Sequence, residues 1–426
     1  MMKEIGKPKK KNLLLLKSAV MFLYVYSFTA ISNFSILTTE RLSIAIVLLF
    51  VVITNRFFSL EALYGDMLFV KKLFAFEAIV LIYCLMLLPI VGNGTGTNII
   101  DELANFLIFA FLAYIAFTNL FISVDELFKV LVVVSVVQSI IIFLTIVNPS
   151  FATLIDNLPI NNTNNYFDYA FYRAGGYQGG IACITSTGTL QLSLGLVSCI
   201  YFITKNQKSW FYIAIYLFIS FIMTTVARTG LLLAIVGLIA MLSVSIIKRD
   251  KKMIGVFAGL IFVTIIMVFV VYITGFNDYF PNLFRRIINV KKNGLYDEFF
   301  GQYFRVLWGD DGIPPLTYKT LFGVLTTSGT SGNGVYVMAD GGYVRTYAAI
   351  GLPFAILQYA IVFGGLKKLI KKLDRFDYRV AGIVFILYLF IGEFKEPLII
   401  YKRYMIVIAF TFLFLAYKEQ RMRMNE

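Results

Sequence analysis

The sequence predicts an all-α polytopic integral membrane protein, with about twelve transmembrane helices and two long outward-facing loops. Three observations predict it. Of 426 residues, 59% are apolar and only 15% charged, with a mean hydropathy of +0.81; soluble chains average about 45–50% apolar and about 25% charged. Apolar stretches of helix length recur along the chain, and the lysines and arginines between them alternate in density. This composition excludes a soluble enzyme, a disordered tail and a disulfide scaffold.

The apolar stretches fall at 13–31, 42–54, 73–91, 103–122, 127–147, 181–203, 209–227, 229–247, 253–274, 343–366, 380–398 and 403–417. The second and the last are the shortest. The first follows a basic segment (Lys3, Lys7, Lys9, Lys10, Lys11) and no small-residue cleavage site succeeds it. It therefore reads as an anchor and not a signal peptide. No repeat or soluble domain interrupts the series, so residues 1–426 read as a single membrane domain.

Counting cations sets the orientation. With the first stretch entering from inside, 25 of the 38 lysines and arginines lie in inside segments, as the positive-inside rule requires. An even number of crossings then leaves both termini cytoplasmic. The net charge of +14 is accordingly a topology signal and implies no nucleic-acid partner. Two outside segments are too long for turns. The first, 148–180, contains NNTNNYFDYAFYRAGGYQGG; the second, 276–342, contains GDDGIPP and TTSGTSGNG. Within the second, 295–308 has helical apolar spacing suited to the outer membrane interface. Loops of such length are usually functional lids or disordered.

Several chemistries are excluded. The chain has no histidine, which removes His-ligated metal, a His general base and Ser-His or Cys-His pairs. Cys84, Cys183 and Cys199 lie apart in apolar runs and read as small hydrophobes. No G-x-x-x-x-G-K-[ST] loop is present, so no nucleotide is expected. Asp310 and Asp311 read as a turn, with no further ligands for a cation.

The informative cations are those facing outward, against the topological bias. They are mostly arginines: Arg41, Arg173, Arg228, Arg285, Arg286, Arg305, Arg345 and Arg403. The planar guanidinium fork matches a phosphate better than an ammonium does. An anionic ligand at the outer leaflet is the implied partner, against the plainer alternative of snorkelling to headgroups. Arg228 sits at the tip of a hairpin between two apolar runs, too short to project far from the bilayer, where an ionisable group faces a cavity or caps a helix. Arg173 precedes Gly175, Gly176, Gly179 and Gly180, where backbone amides approach an anion or merely turn the chain. In MADGGYVRTYAAIGLP, Asp340 reads either as an N-cap or as the base that takes a proton from a substrate hydroxyl. Tyr343 and Arg345 follow it. Asp168, Glu393 and Glu396 are alternative bases. The outward aromatics Tyr166, Phe167, Tyr169, Phe171, Tyr172 and Tyr177 suit sugar stacking or an interfacial belt. Glu77, inside an apolar run, is expected to pair within its own helix with Lys71 or Lys72.

Three segments, RAGGYQGG, ARTGLLLAI and DGGYVRTYAAIGLP, together with the two outward loops, resemble the polytopic O-antigen polymerases, relatives of the O-antigen ligases. The resemblance covers about 160–366 and rests on order and spacing. It implies a GT-C-like architecture and a bacterial inner-membrane location. The implied activity is polymerisation of undecaprenyl-pyrophosphate-linked oligosaccharide repeat units at the periplasmic face, without metal, nucleotide or other cofactor. The implied site has Asp340, Arg228 and Arg173 as catalytic residues. Arg173, Arg228, Arg345, Arg286 and Tyr343 would bind pyrophosphate and sugar. A chain-length regulator protein joins the lipid-linked substrate and the bilayer as a partner. The family's ligases carry a histidine where this chain has Asp340, so its absence favours polymerase over ligase. A lipid-linked oligosaccharide flippase is the rival from another class, but two similar halves, its expected signature, are not evident.

Overall fold

The computed structural model describes residues 10–26, 39–53, 63–92, 94, 97–148, 150–151, 154, 186–274, 316–337, 341–395, 397–400 and 403–426. Each of the twelve apolar stretches contains a helix among the described residues. In hydrocarbon a helix satisfies every backbone N–H and C=O within one segment, so an apolar run of this length has little alternative. The helices are α1 (Lys10–Val25), α2 (Thr39–Ile53), α3 (Leu68–Val91), α4 (Ile99–Asn105), α5 (Phe111–Leu120) and α6 (Val124–Val147). After the first long link come α7 (Ser186–Thr204), α8 (Ser209–Val226), α9 (Arg228–Ile247) and α10 (Lys251–Thr274). The short α11 (Tyr318–Phe322) precedes α12 (Gly342–Ile350), α13 (Leu352–Lys371), α14 (Phe376–Glu393) and α15 (Tyr404–Asn425). A π turn, Phe106–Ala110, joins α4 to α5, so that Ile99–Leu120 is one continuous rod.

Among the described residues, five of these rods are long and apolar enough to cross a membrane: Leu68–Val91, Ile99–Leu120, Val124–Thr145, Thr229–Ile247 and Leu352–Lys371. Their outward faces carry exposed Ile79, Ile82, Met86, Ile90, Ile239 and Ile356. Such a surface is stable against lipid and not against water. The protein is therefore a helical, membrane-embedded chain. Its centre is α7, buried from Gly188 to Thr204 and packed by α6, α8, α9 and α14. Small residues permit this: a Cβ at Gly195 would press on the Ser135 side chain of α6. On another side of the core Phe128, Phe385 and Phe412 stack at 5.3–6.3 Å between ring centres, tying α6, α14 and α15. Cys84 and Cys199 are buried free thiols; Cys183 lies outside the described residues.

One departure from an all-helical body occurs in the second long segment. The Gly/Ser/Thr run supplies the central strand of a three-stranded antiparallel sheet, β1 (Thr97–Asn98), β2 (Thr326–Thr330) and β3 (Tyr336–Val337), in the order β1-β2-β3. Thr330 pairs with Tyr336 and Gly329 with Val337. The hairpin closes on Ser331, whose hydroxyl accepts from Val335 N–H at 2.9 Å, while Gly334 takes φ +80°. The Tyr83 hydroxyl of α3 donates to Phe322 O at 2.6 Å, and Ile99 N–H donates to Leu325 O at 3.0 Å. Gly351, at φ +85°, breaks α12 from α13, and a Cβ there would strike the Phe322 backbone. The sheet and α11 thus sit as a plate on that break. Segment 295–308 lies outside the described residues.

The bundle has two distinct ends. The tail end gathers the starts of α6 and α14 and the ends of α7 and α15. The loop end gathers the ends of α1 and α14, the starts of α7, α12 and α15, and the sheet.

Candidate functional site

The loop end carries the described part of the predicted site. Gly341 is the N-cap of α12, with φ −72° and ψ 133°. A glycine offers no side-chain oxygen to the first-turn amides. Asp340 itself lies outside the described residues, as do Arg173, Arg286, Asp168 and Glu396. So do Arg285, Arg305, Asp310, Asp311 and the aromatics from Tyr166 to Tyr177. Arg228 is the first residue of α9, one residue (Ala227) after α8 ends. The turn is tight because Gly230 N–H donates to Ala227 O at 2.9 Å, and a Cβ at Gly230 would collide with the Met223 carbonyl. This explains the glycine of ARTG in structural terms.

Tyr343 and Arg345 lie on the first turn of α12, both half-buried. The Tyr343 ring packs against Tyr359 of α13 at 4.6 Å and against Phe394 at 4.9 Å. Its hydroxyl donates to Phe390 O at 3.2 Å. Behind this ring lies Glu393, the last residue of α14 and 1% exposed. The Tyr359 hydroxyl donates to Glu393 Oε1 at 2.8 Å, and Leu398 N–H donates to Oε2 at 2.8 Å. The structure therefore brings together Tyr343 of α12, Tyr359 of α13 and Glu393 of α14, with Arg345 two residues along α12 from Tyr343. Tyr359 is a member that sequence reasoning missed; the polar pair Gln358–Tyr359 inside an apolar helix was the available signal.

Two other arginines expected to face outward resolve differently. Arg403 forks onto Glu40, Nε to Oε1 at 2.7 Å and Nη2 to Oε2 at 2.9 Å, which joins the start of α15 to the start of α2. Arg41 Nη2 donates to Asn105 Oδ1 at 3.2 Å, with its guanidinium 4.5 Å above the Phe109 ring. Both are built into the helix packing, so an outward position alone does not make an arginine a ligand site.

The expectation for Glu77 is overturned. It is fully buried and accepts from Gln358 Nε2 of α13 at 2.8 Å. Lys71 and Lys72 precede it by six and five residues. Helical neighbours are three or four apart, so both lysines point away and are exposed. Among the described residues no cluster of His, Cys, Asp and Glu has the makings of a metal site.

Compared with protein-family models, with curated proteins and with solved structures, the chain matches none.

Proposed function

We propose that this chain is a polymerase of undecaprenyl-pyrophosphate-linked oligosaccharide repeat units, spanning the bacterial inner membrane about twelve times in a GT-C-like arrangement. The observation that carries the reading is the meeting of α12, α13 and α14 at the loop end. There Tyr343 and Arg345 follow the Asp340–Gly341–Gly342 segment directly and Tyr343 packs against the Tyr359–Glu393 pair. The lysine-rich tail end faces the cytoplasm in this reading, and both termini with it. The loop end then opens to the periplasm, where lipid-linked oligosaccharide is presented.

In the reaction, a hydroxyl of the incoming repeat unit attacks the anomeric carbon of the growing chain. The carbon–oxygen bond to pyrophosphate breaks, and the lipid pyrophosphate leaves with the bonding electron pair. Arg173, Arg228, Arg286 and Arg345 stabilise the charge that develops on that leaving group. Asp340 takes the proton of the attacking hydroxyl. Glu393, one of the alternative bases, already accepts a hydrogen bond at each of its oxygens. It serves this site as a positioning residue, holding Tyr359 and through it the ring of Tyr343. No metal, nucleotide or organic cofactor enters the scheme. A chain-length regulator protein is the expected protein partner.

Deleting the gene in its host and separating the lipopolysaccharide on a gel tests this. The polymerase reading expects the long ladder to collapse to core bearing one repeat unit. An intact ladder overturns it, and bare core replaces it with the flippase or ligase reading.

A further inference from the structure

Between α3 and α13 lies a polar pair that the proposed reaction does not use. The two helices run antiparallel, and three contacts fix their register. A Cβ at Gly365 would strike the Phe69 ring, Gln358 meets Glu77, and the Phe354 ring stacks on Tyr83 at 4.3 Å. Glu77 is therefore the middle contact of a packed interface, about 14 Å along α3 from its start at 1.5 Å per residue. Glu77 and Gln358 are each 0% exposed, which leaves no solvent to hydrate either group.

Their hydrogen bonding is half complete. Gln358 Nε2 donates to Glu77 Oε1, while Glu77 Oε2 and Gln358 Oε1 are both buried without a partner. Both orphans are acceptors, and what they lack is one hydrogen. A carboxylate here would also lack a counter-charge. On α3, Lys71 and Lys72 face away. On α13, Lys367, Lys368 and Lys371 lie nine or more residues beyond Gln358, about 13 Å or more along the helix. On α4, Asp101 and Glu102 lie at the loop end and are acidic, and the 106–110 turn carries no charge. Tyr359, the next residue of α13, is engaged with Glu393. Of the titratable groups on the same face of α3, Cys84 lies seven residues on and is a buried thiol. An unpaired charge buried in hydrocarbon is strongly disfavoured.

We propose that Glu77 is a proton-binding site: it carries its proton on Oε2 and donates it to Gln358 Oε1, closing a two-bond acid–amide ring between α3 and α13. Each group then gives one hydrogen bond and accepts one, and both orphans disappear. The ring joins two membrane helices without a net charge. Because Tyr359 follows Gln358, it also fixes the turn of α13 that holds Glu393. Removing the proton would leave an anion between two apolar helices and open the interface at that turn. This inference does not depend on the reaction proposed above.

Infrared difference spectroscopy of the purified full chain in lipid nanodiscs, wild type minus Glu77→Gln, tests it. The expected result is loss of one carboxylic-acid carbonyl band that shifts in heavy water. Loss of carboxylate bands instead overturns the proposal. Gln at 77 retains the shape of the pair, since an amide–amide ring has the same geometry. Should that variant fail to fold, Gln358→Leu decides. The acid band should persist and move to higher frequency once its amide partner is gone, and an unchanged band position would overturn the ring.

Discussion

At the tail end the carboxylates meet cations. Asp125 accepts from Lys205 at 2.6 Å and from the Tyr201 hydroxyl at 2.6 Å, and Glu126 pairs with Lys17 at 2.7 Å. Arg375 binds Asp377 through Nε at 2.9 Å and lies 3.8 Å from Glu419, which also accepts Val124 N–H at 2.8 Å. This network stitches α1, α6, α7, α14 and α15. At the loop end an ion pair also occurs, Arg403 on Glu40, but the Glu393 carboxylate accepts from a phenol and a backbone amide beside packed rings. The two regions do different work with similar residues. Ion pairs spend a cation on each helix contact, which suits a face rich in lysine for topological reasons.

The largest way to break the comparison is through activity. Arg173→Lys, Arg228→Lys and Asp340→Asn should each cut polymer formation by about 100-fold or more, read as loss of the lipopolysaccharide ladder in complementation. Lysine keeps the charge and loses the fork. The matched change at the tail end, Arg375→Lys, should leave the ladder intact. Full activity from all three loop-end variants would sink the proposed site.

Stability separates the ends next. Arg403→Ala leaves Glu40 as an uncompensated buried charge, since the pair is only 10% and 15% exposed. The expected cost is about 3–5 kcal/mol, seen as a lowered Tm in detergent. A cost near zero would mean that the fork is incidental and Arg403 is available to a ligand after all.

Tyr359→Phe removes one donor from Glu393 and should cost about 1–3 kcal/mol, with part of the activity lost. Glu393→Gln sharpens the assignment of roles. As a positioning residue it should retain measurable polymerisation, whereas a loss as complete as that of Asp340→Asn would move the base to Glu393.

The helices were legible because a lipid solvent leaves an apolar run few choices, and the spacing of runs alone located them. The hairpin of TTSGTSGNG was not legible: its strands are short and polar, and they are held by the Gly323–Gly351 backbone contact and by α3, partners distant in sequence. At the site, Tyr343 and Arg345 were readable from the DGGYVR segment. Tyr359 was not, because a lone tyrosine in an apolar helix is ordinary until Glu393 is placed beside it. Glu77 was misread because spacing along one helix was weighed, while its partner sits on another. Arg403 and Glu40 are 363 residues apart, and no local pattern links them.

The smallest expected effect tests whether exposure or pairing governs the tail end. Lys205 and Asp125 are each about 30% exposed, while Lys17 is 1% exposed against Glu126. Both are short lysine–carboxylate pairs between helices. If each pair acts alone, Lys205→Met should cost about 0.2–1 kcal/mol, as exposed pairs do. Lys17→Met should cost more, because it strands a partly buried Glu126. Thermal melts of the two variants and their double mutant give both values and the coupling between them. Should Lys205→Met cost as much as Lys17→Met, the pairs are not independent. Asp125 would then act through the Tyr201 hydroxyl to Arg375, whose Nη2 lies 3.5 Å from that oxygen, and the tail end would be one cooperative network.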